Sequence, residues 1–118
     1  PEVATALVGT GFGYDPERRR AQGAVVAELL PRVRDIRRMG AAAVDLCSVA
    51  CGRLDAYFER GLSWWDLAAG GLIAAEAGAV VTSLDDGALT AGSVVAAGPA
   101  LAVPLRDLLR SLGAQNVP

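Results

Sequence analysis

Residues Leu62–Gly78 read Leu-Ser-Trp-Trp-Asp-Leu-Ala-Ala-Gly-Gly-Leu-Ile-Ala-Ala-Glu-Ala-Gly. Ser63 is a favourable N-cap, and Asp66 follows it at the spacing of a capping box, so a helix is predicted to begin here. The body of this helix is mostly alanine and glycine, although each internal glycine costs about 1 kcal/mol relative to alanine. Small residues let neighbouring elements approach closely, so the helix is predicted to be central and buried.

Composition limits the class of protein. The chain has 118 residues, of which 53% are hydrophobic and 20% charged, so it is predicted to form one globular domain. A formal net charge of -2 argues against a surface dedicated to nucleic acid. All basic residues are arginine, which excludes a Schiff-base lysine and a P-loop lysine. There is no histidine, so this chain holds no serine–histidine dyad and no imidazole metal ligand.

Localisation is inferred from absent signals. Two cysteines do not make a disulfide scaffold, Pro1–Val8 lacks the features of a signal peptide, and no apolar run is long enough to span a bilayer. A cytoplasmic protein is therefore expected. The chain begins at Pro1, directly in a strand-like run, which suggests a piece of a longer polypeptide.

Strand-like and helix-like segments alternate along the chain, which predicts an α/β fold with helices packed on a sheet. Asp15 and Pro16 are typical of a helix start, Pro31 of a helix end, and Asp86-Gly87 of a turn. The predicted strands are Val3–Gly9, Val33–Arg38, Leu54–Glu59, Ala79–Ser83 and Ser93–Ala97. The predicted helices are Glu17–Leu30, Ala41–Cys51, the helix that begins at Ser63, and Pro99–Leu112.

The glycine-rich segment Gly9–Gly13 lies between a predicted strand and a predicted helix, as a dinucleotide-binding turn would. The fingerprint needs a third glycine, but Tyr14 stands there in one register and Pro16 in the other. A tight turn is therefore favoured, with contact between its backbone N–H groups and a substrate left open.

Two further groups of residues have competing interpretations. Cys47 and Cys51 lie on one helix face and are predicted to pack in the core, because a metal site would need two more ligands. The Arg18–Arg20 run and the Arg37-Arg38 pair could contact phosphate, but the run is predicted to lie on a solvated helix face. Arg37 precedes a helix start and could help to bind an anion, but pairing with a neighbouring carboxylate is slightly favoured.

Two carboxylates are candidates for a site. Glu59 ends a predicted strand and Asp66 starts the following helix, so both could lie at the same edge of the sheet. Taken alone, Glu59 is more often a surface residue and Asp66 more often a cap. Asp55, within the strand, is predicted to be structural. The residues alone thus indicate an α/β unit with a possible acidic and anion-binding edge.

Four segments together resemble the inositol monophosphatase family: Ile36–Leu46, Val49–Glu59, Trp65–Gly70 and Glu76–Gly78. The resemblance extends over roughly Leu7 to Leu112. It covers the C-terminal half of the family only, because the metal-binding glutamate and the Asp-Pro-x-Asp-Gly-Thr loop of the N-terminal half are not found here. It implies that residues 1–118 form the C-terminal α/β domain of a longer phosphatase, with a mixed sheet, as half of an αβαβα fold.

The resemblance also implies an activity. The family hydrolyses phosphomonoesters with Mg²⁺, using water that the metal ions activate, which accords with the absence of histidine. By analogy Asp66 is a Mg²⁺ ligand, and the backbone of Gly40, Ala41 and Ala42 contacts the substrate. Glu59 contacts a hydroxyl group of a sugar or inositol.

Two departures from the family pattern stand out. Ala41 replaces the Ser or Thr of many relatives, which removes an N-cap hydroxyl, and Gly98 replaces a frequent asparagine. The implied partners are a small phosphomonoester, the N-terminal half of the enzyme and a second copy in a homodimer; neither nucleic acid nor membrane is expected. The alternatives are a substrate such as histidinol phosphate, a sugar bisphosphate or a nucleotide phosphate, or a non-catalytic interaction module.

Overall fold

A computed structural model describes residues 1–85, 89 and 92–118 of the chain. Its described part contains five strands and four α-helices, in the order predicted from the sequence. In chain order these are β1 (Leu7–Thr10), α1 (Pro16–Leu29), β2 (Asp35–Arg37), α2 (Ala42–Ala50), β3 (Ala56–Leu62), α3 (Trp64–Glu76), β4 (Val80–Thr82), β5 (Gly92–Ala97) and α4 (Pro99–Ser111). Short 3₁₀ helices lie at Val3–Thr5, Leu30–Arg32 and Ala114–Asn116.

The strands form one mixed sheet in the order β2-β1-β3-β5-β4. The pairs β1–β2 and β1–β3 are parallel, whereas β3–β5 and β4–β5 are antiparallel. This confirms the predicted α/β class and the mixed sheet. The three parallel strands all end at the same edge, so the segments that follow them come together there.

Helices cover both faces of the sheet, because successive strand residues point to opposite sides. Phe58 and Val95 pack with α1 and α4 on one face. Their neighbours Tyr57 and Val94 pack with α2 and α3 on the other face. The result is a three-layer unit in which the central strands β3 and β5 are buried on both sides.

Several element boundaries differ from the prediction. The strand β3 continues to Leu62, so Glu59 lies within it and not at its end. The first strand begins at Leu7, because Val3–Thr5 forms a 3₁₀ turn in which Thr5 and Glu2 cap each other. Pro31 ends the α-helix but not the helical path, because α1 is followed directly by the 3₁₀ helix Leu30–Arg32. Proline is tolerated there because it occupies one of the first helical positions, where no N–H donor is needed. The predicted Asp86-Gly87 turn lies outside the described residues.

The helix α3 is buried on one face only, which corrects the prediction that this helix is central and buried. On the inner face a Cβ placed on Gly70 would lie 2.9 Å from a side-chain carbon of Leu46, so the expected close approach of α2 is present. On the outer face Trp65 is 81% exposed and Leu72 62% exposed. The inner face carries Leu67, Gly70, Gly71 and Ala74, whereas the outer face carries large apolar residues together with exposed alanines.

The cysteine prediction was also wrong, since Cys47 and Cys51 are both exposed, free thiols on the outer side of α2. Asp55 is structural as predicted: its Oδ2 accepts a hydrogen bond from the backbone N–H of Leu7 at 2.8 Å and ties β3 to the start of β1. Within the described residues, no helix combines the length and the apolar character needed to cross a membrane.

Candidate functional site

A cleft of about 360 Å³ lies where the three parallel strands end. Ligands of open α/β sheets bind at this kind of edge, where strand ends and helix N-termini meet. All five residues predicted for the site line this cleft: Gly40, Ala41, Ala42, Glu59 and Asp66. The Gly11–Gly13 part of the glycine-rich turn lines it as well.

The backbone of Gly40–Ala42 forms the turn into α2. Gly40 has a φ of 90°, a left-handed conformation that suits glycine. Ala41 is the N-cap and makes no side-chain capping bond, as its missing hydroxyl predicts. The first N–H groups of α2 therefore have no capping side chain and are available to an anion at the cleft.

Asp66 stands in the first turn of α3 and is half-buried. Its Oδ2 accepts a hydrogen bond from the backbone N–H of Ser63 at 3.0 Å, within the predicted capping box. Oδ1 accepts no hydrogen bond from the described residues. One oxygen thus caps the helix while the carboxylate as a whole borders the cleft.

Glu59 is held by two neighbours. The buried hydroxyl of Tyr57 donates a hydrogen bond to its Oε1 at 2.6 Å. A Cβ on Gly11 would lie only 2.1 Å from the same oxygen, so the carboxylate rests directly against the backbone of the glycine-rich turn. Burial raises the pKa of Glu59, against the opposing effects of the Tyr57 hydrogen bond and the Arg38 charge.

Of the adjacent arginines, Arg38 lines the cleft and Arg37 does not. Arg37 pairs with Asp35 at 2.8 Å on strand β2, which confirms the slightly favoured interpretation and lowers the pKa of Asp35. Arg38 lines the cleft, with its guanidinium carbon 5.9 Å from the centre of the Phe12 ring. Arg18 also lines it, so the prediction of a wholly solvated Arg18–Arg20 run was wrong for its first member.

Sequence reasoning missed Tyr57, and it did not select Arg18 or Arg38, although both belong to arginine groups considered as phosphate contacts. Tyr57 could have been found, because residues two apart on a strand share a face and Glu59 was already a candidate. Arg18 also had a signal: it falls three residues after the N-cap Asp15, in the helical turn nearest the glycine-rich segment. Nothing in the sequence separates Arg38 from Arg37.

Asp45 is an unexpected buried carboxyl group in α2. It is 1% exposed, and neither of its oxygens accepts a hydrogen bond from the described residues. Burial, aided by the nearby charge of Glu59, raises the pKa of Asp45 to about 6. Its Oδ1 lies 3.3 Å from where a Cβ on Gly9 would stand, so this acid packs against strand β1.

The resemblance to the family implies a metal ion. The described residues include a side chain of the type that binds Mg²⁺, but too few such side chains to form a complete site. Mg²⁺ prefers oxygen ligands, and the carboxylate of Asp66 borders the cleft. No group of three or more metal-binding side chains of the types His, Cys, Asp and Glu occurs among residues 1–85, 89 and 92–118. Asp66 can therefore be one ligand of a metal site that needs further oxygen donors.

Comparison with known proteins identifies the relatives. Residues 1–113 match the model of the inositol monophosphatase family. Inositol-1-monophosphatase SuhB of Mycobacterium tuberculosis is 51% identical over 99% of this chain and 41% of its own length. Its solved structure superposes with a TM-score of 0.85 at 50% identity, covering 96% of this chain and 44% of that one.

Two further relatives also match this chain over most of its length. The inositol monophosphatase of Anabaena superposes with a TM-score of 0.86 at 36% identity, over 98% of this chain and 48% of that one. The Nus factor SuhB of Pasteurella multocida is 46% identical over 83% of this chain and 38% of its own length. The chain thus spans about 40% of the length of the curated relatives it matches. By its sequence and its fold, the chain belongs to the inositol monophosphatase family.

Proposed function

We propose that the whole protein is a Mg²⁺-dependent phosphomonoesterase that hydrolyses a small polyol or sugar phosphate. The observation that carries this proposal is the single cleft in which the N-terminus of α2, Glu59 and Asp66 lie together. These supply an anion-binding backbone, a hydroxyl-binding carboxylate and a metal-binding carboxylate. The match of residues 1–113 to the family supports the same reaction class.

Each part of the cleft has a role in this proposal. The backbone N–H groups of Gly40, Ala41 and Ala42 bind the substrate through the positive end of α2, and Arg38 adds positive charge beside them. Glu59 accepts a hydrogen bond from a substrate hydroxyl. Asp66 offers Oδ1 to Mg²⁺, while Oδ2 stays on the backbone of Ser63 and fixes the orientation of the carboxylate.

Bound Mg²⁺ would supply an activated water and neutralise charge on the phosphate and on the leaving alkoxide. The residues of this chain contribute positioning: they fix the phosphate, the hydroxyl-bearing ring and one face of the metal site. We propose that the remaining metal ligands come from the N-terminal half of the same protein. A homodimer and a cytoplasmic location remain part of the proposal.

Phosphate release from a panel of phosphomonoesters by the full-length protein, with and without Mg²⁺, tests this function. The panel contains inositol 1-phosphate, histidinol phosphate, a sugar bisphosphate and a nucleotide monophosphate, because much of the substrate pocket belongs to the other half. Mg²⁺-dependent hydrolysis of the polyol phosphate supports the proposal. Absence of hydrolysis across the panel at all Mg²⁺ concentrations would overturn it.

A non-catalytic role is the second candidate, because one matched relative is named a Nus factor. In that case the fold would serve as an interaction module. The two candidates are separated by the assay above together with Mg²⁺ binding measured by calorimetry. An interaction module would show neither phosphate release nor a Mg²⁺ affinity that depends on Asp66.

A further inference from the structure

We infer that Tyr57 is the positioning residue of the proposed hydroxyl-binding site: its buried hydroxyl fixes the carboxylate of Glu59 and thereby sets the preference for substrates that carry hydroxyl groups. This inference rests on the proposed function and assigns a specific residue to its substrate selectivity. The geometric basis is the hydrogen bond of 2.6 Å from the Tyr57 hydroxyl to Oε1 of Glu59.

The tyrosine ring cannot readily move. Tyr57 is 0% exposed and belongs to the core cluster between the sheet and the helices α2 and α3, where it packs among Leu46, Leu67 and Val94. Only its hydroxyl reaches the half-buried Glu59 at the cleft. A donor fixed by core packing holds its acceptor more rigidly than a surface side chain could, because no rotamer freedom has to be lost on binding.

The second restraint acts on the same oxygen. Oε1 of Glu59 lies where a Cβ of residue 11 would be, so the backbone of Gly11 blocks movement of the carboxylate in that direction. Tyr57 and Gly11 therefore hold Oε1 between them. Among the described residues Oε2 accepts no hydrogen bond, which leaves it to bind a hydroxyl group in the cleft.

Tyr57 orients the carboxylate, and Glu59 binds the hydroxyl group of the substrate. A carboxylate that is already oriented binds a hydroxyl donor without first losing its own rotational freedom. Removal of the Tyr57 hydroxyl leaves Oε1 partly buried without its donor and lets the carboxylate rotate. Binding of hydroxyl-bearing substrates should then weaken, whereas a substrate without hydroxyl groups should be unaffected.

A double-mutant cycle in the full-length protein tests this with Tyr57→Phe, Glu59→Gln and the combined variant. The measured quantity is the ratio of kcat/KM for inositol 1-phosphate to kcat/KM for phenyl phosphate, which has no free hydroxyl. We expect Tyr57→Phe to lower this ratio about tenfold, through KM for inositol 1-phosphate, the size expected for one hydrogen bond to a charged group. The combined variant should be no worse than Glu59→Gln alone.

Leu105→Ala is the matched control, because Leu105 is equally buried but belongs to the core cluster on the other face of the sheet, away from Tyr57. It should lower the melting temperature and leave the ratio unchanged. An unchanged ratio in Tyr57→Phe, or effects of Tyr57→Phe and Glu59→Gln that simply multiply, would overturn the inference.

Titration with free inositol, followed by NMR, separates this inference from the proposed function. If the wild-type protein hydrolyses no phosphomonoester, the proposed function fails, but inositol affinity still decides the role of Tyr57. Weaker binding in Tyr57→Phe than in the wild type supports the inference. Equal binding in both, or no binding to the wild type, contradicts it.

Discussion

The Oδ2 of Asp66 accepts a hydrogen bond from the backbone N–H of Ser63 at 3.0 Å, while the same carboxylate borders the cleft that Gly40 and Glu59 also line. Capping of α3 and binding at the cleft therefore do not compete for the same oxygen. The capping box supplies a fixed orientation, and Oδ1 is left for a ligand. The capping of α3 and the proposed metal binding by Asp66 are therefore expected to be separable by mutation.

The substitution Asp66→Asn should remove most Mg²⁺-dependent activity of the full-length protein while the fold persists. The amide oxygen can still accept the Ser63 N–H, so the change in unfolding free energy should stay below about 1 kcal/mol. Loss of one charged metal ligand should lower kcat/KM about 100-fold. Phosphate release, Mg²⁺ calorimetry and thermal unfolding measure the three quantities.

Asp35→Asn is the control for this substitution, because Asp35 is a half-exposed carboxylate that pairs with Arg37 and does not line the cleft. It should retain the Mg²⁺ affinity and activity of the wild type. Normal Mg²⁺ dependence in Asp66→Asn would rule out the metal role.

The substitution Gly11→Ala should act through Glu59. The new Cβ would lie 2.1 Å from Oε1, so the carboxylate must shift and its bond with Tyr57 must weaken. We expect a loss of preference for inositol 1-phosphate over phenyl phosphate of about tenfold, as for one hydrogen bond to a charged group.

Gly23→Ala provides the comparison, since a Cβ at that helical position meets nothing within 4 Å. It should stabilise the protein by up to about 1 kcal/mol and leave substrate preference alone. A Gly11→Ala enzyme with the wild-type preference would show that the position of Glu59 does not govern selectivity.

The adjacent arginines should differ in their effect on substrate binding. Arg38→Met removes a positive charge from the cleft and should raise KM for a phosphomonoester about fivefold, equivalent to about 1 kcal/mol of screened attraction. Arg37→Met removes a charge already paired with Asp35 and should leave KM nearly unchanged. Steady-state kinetics at low and high salt measure both, and equal effects of the two variants would contradict the assignment of Arg38.

Asp45 should make stability depend on pH. Because its pKa rises from 3.8 to about 6 on folding, the folded state binds more protons than the unfolded state between these pH values. The free energy of unfolding should therefore fall as the pH rises through this interval and level off above it. The destabilisation at neutral pH is on the order of 3 kcal/mol, at about 1.4 kcal/mol per pKa unit.

Urea unfolding of Asp45→Asn and wild type at pH 4 and pH 7.5 tests this. Relative to the wild type, the variant should gain stability between the two pH values. Asp35→Asn should show a small change of opposite sign, because the pKa of Asp35 is lowered by Arg37 at an exposed position. A difference between Asp45→Asn and wild type that is independent of pH would exclude a raised pKa.

Much of the fold follows from short-range signals. The capping box at Ser63 and Asp66 and the glycine turn at Gly40 are decided by residues within four positions of one another, so the sequence predicted both. The exposed face of α3 was not predicted. The sequence around large apolar residues such as Trp65 and Leu72 does not indicate whether another part of the structure packs against them.

The sequence by itself determined the α/β class, the family and which short segments gather at the cleft. Only the tertiary structure decided that Arg38 rather than Arg37 lines it, and that Oε1 of Glu59 lies against Gly11. The physical reason is the sequence separation of the interacting residues. Capping and periodicity act between residues close together in the chain, whereas these contacts depend on how β1, β2 and β3 pair in the sheet. Glu59 and Gly11 are far apart in the chain and meet only because their strands pair in parallel.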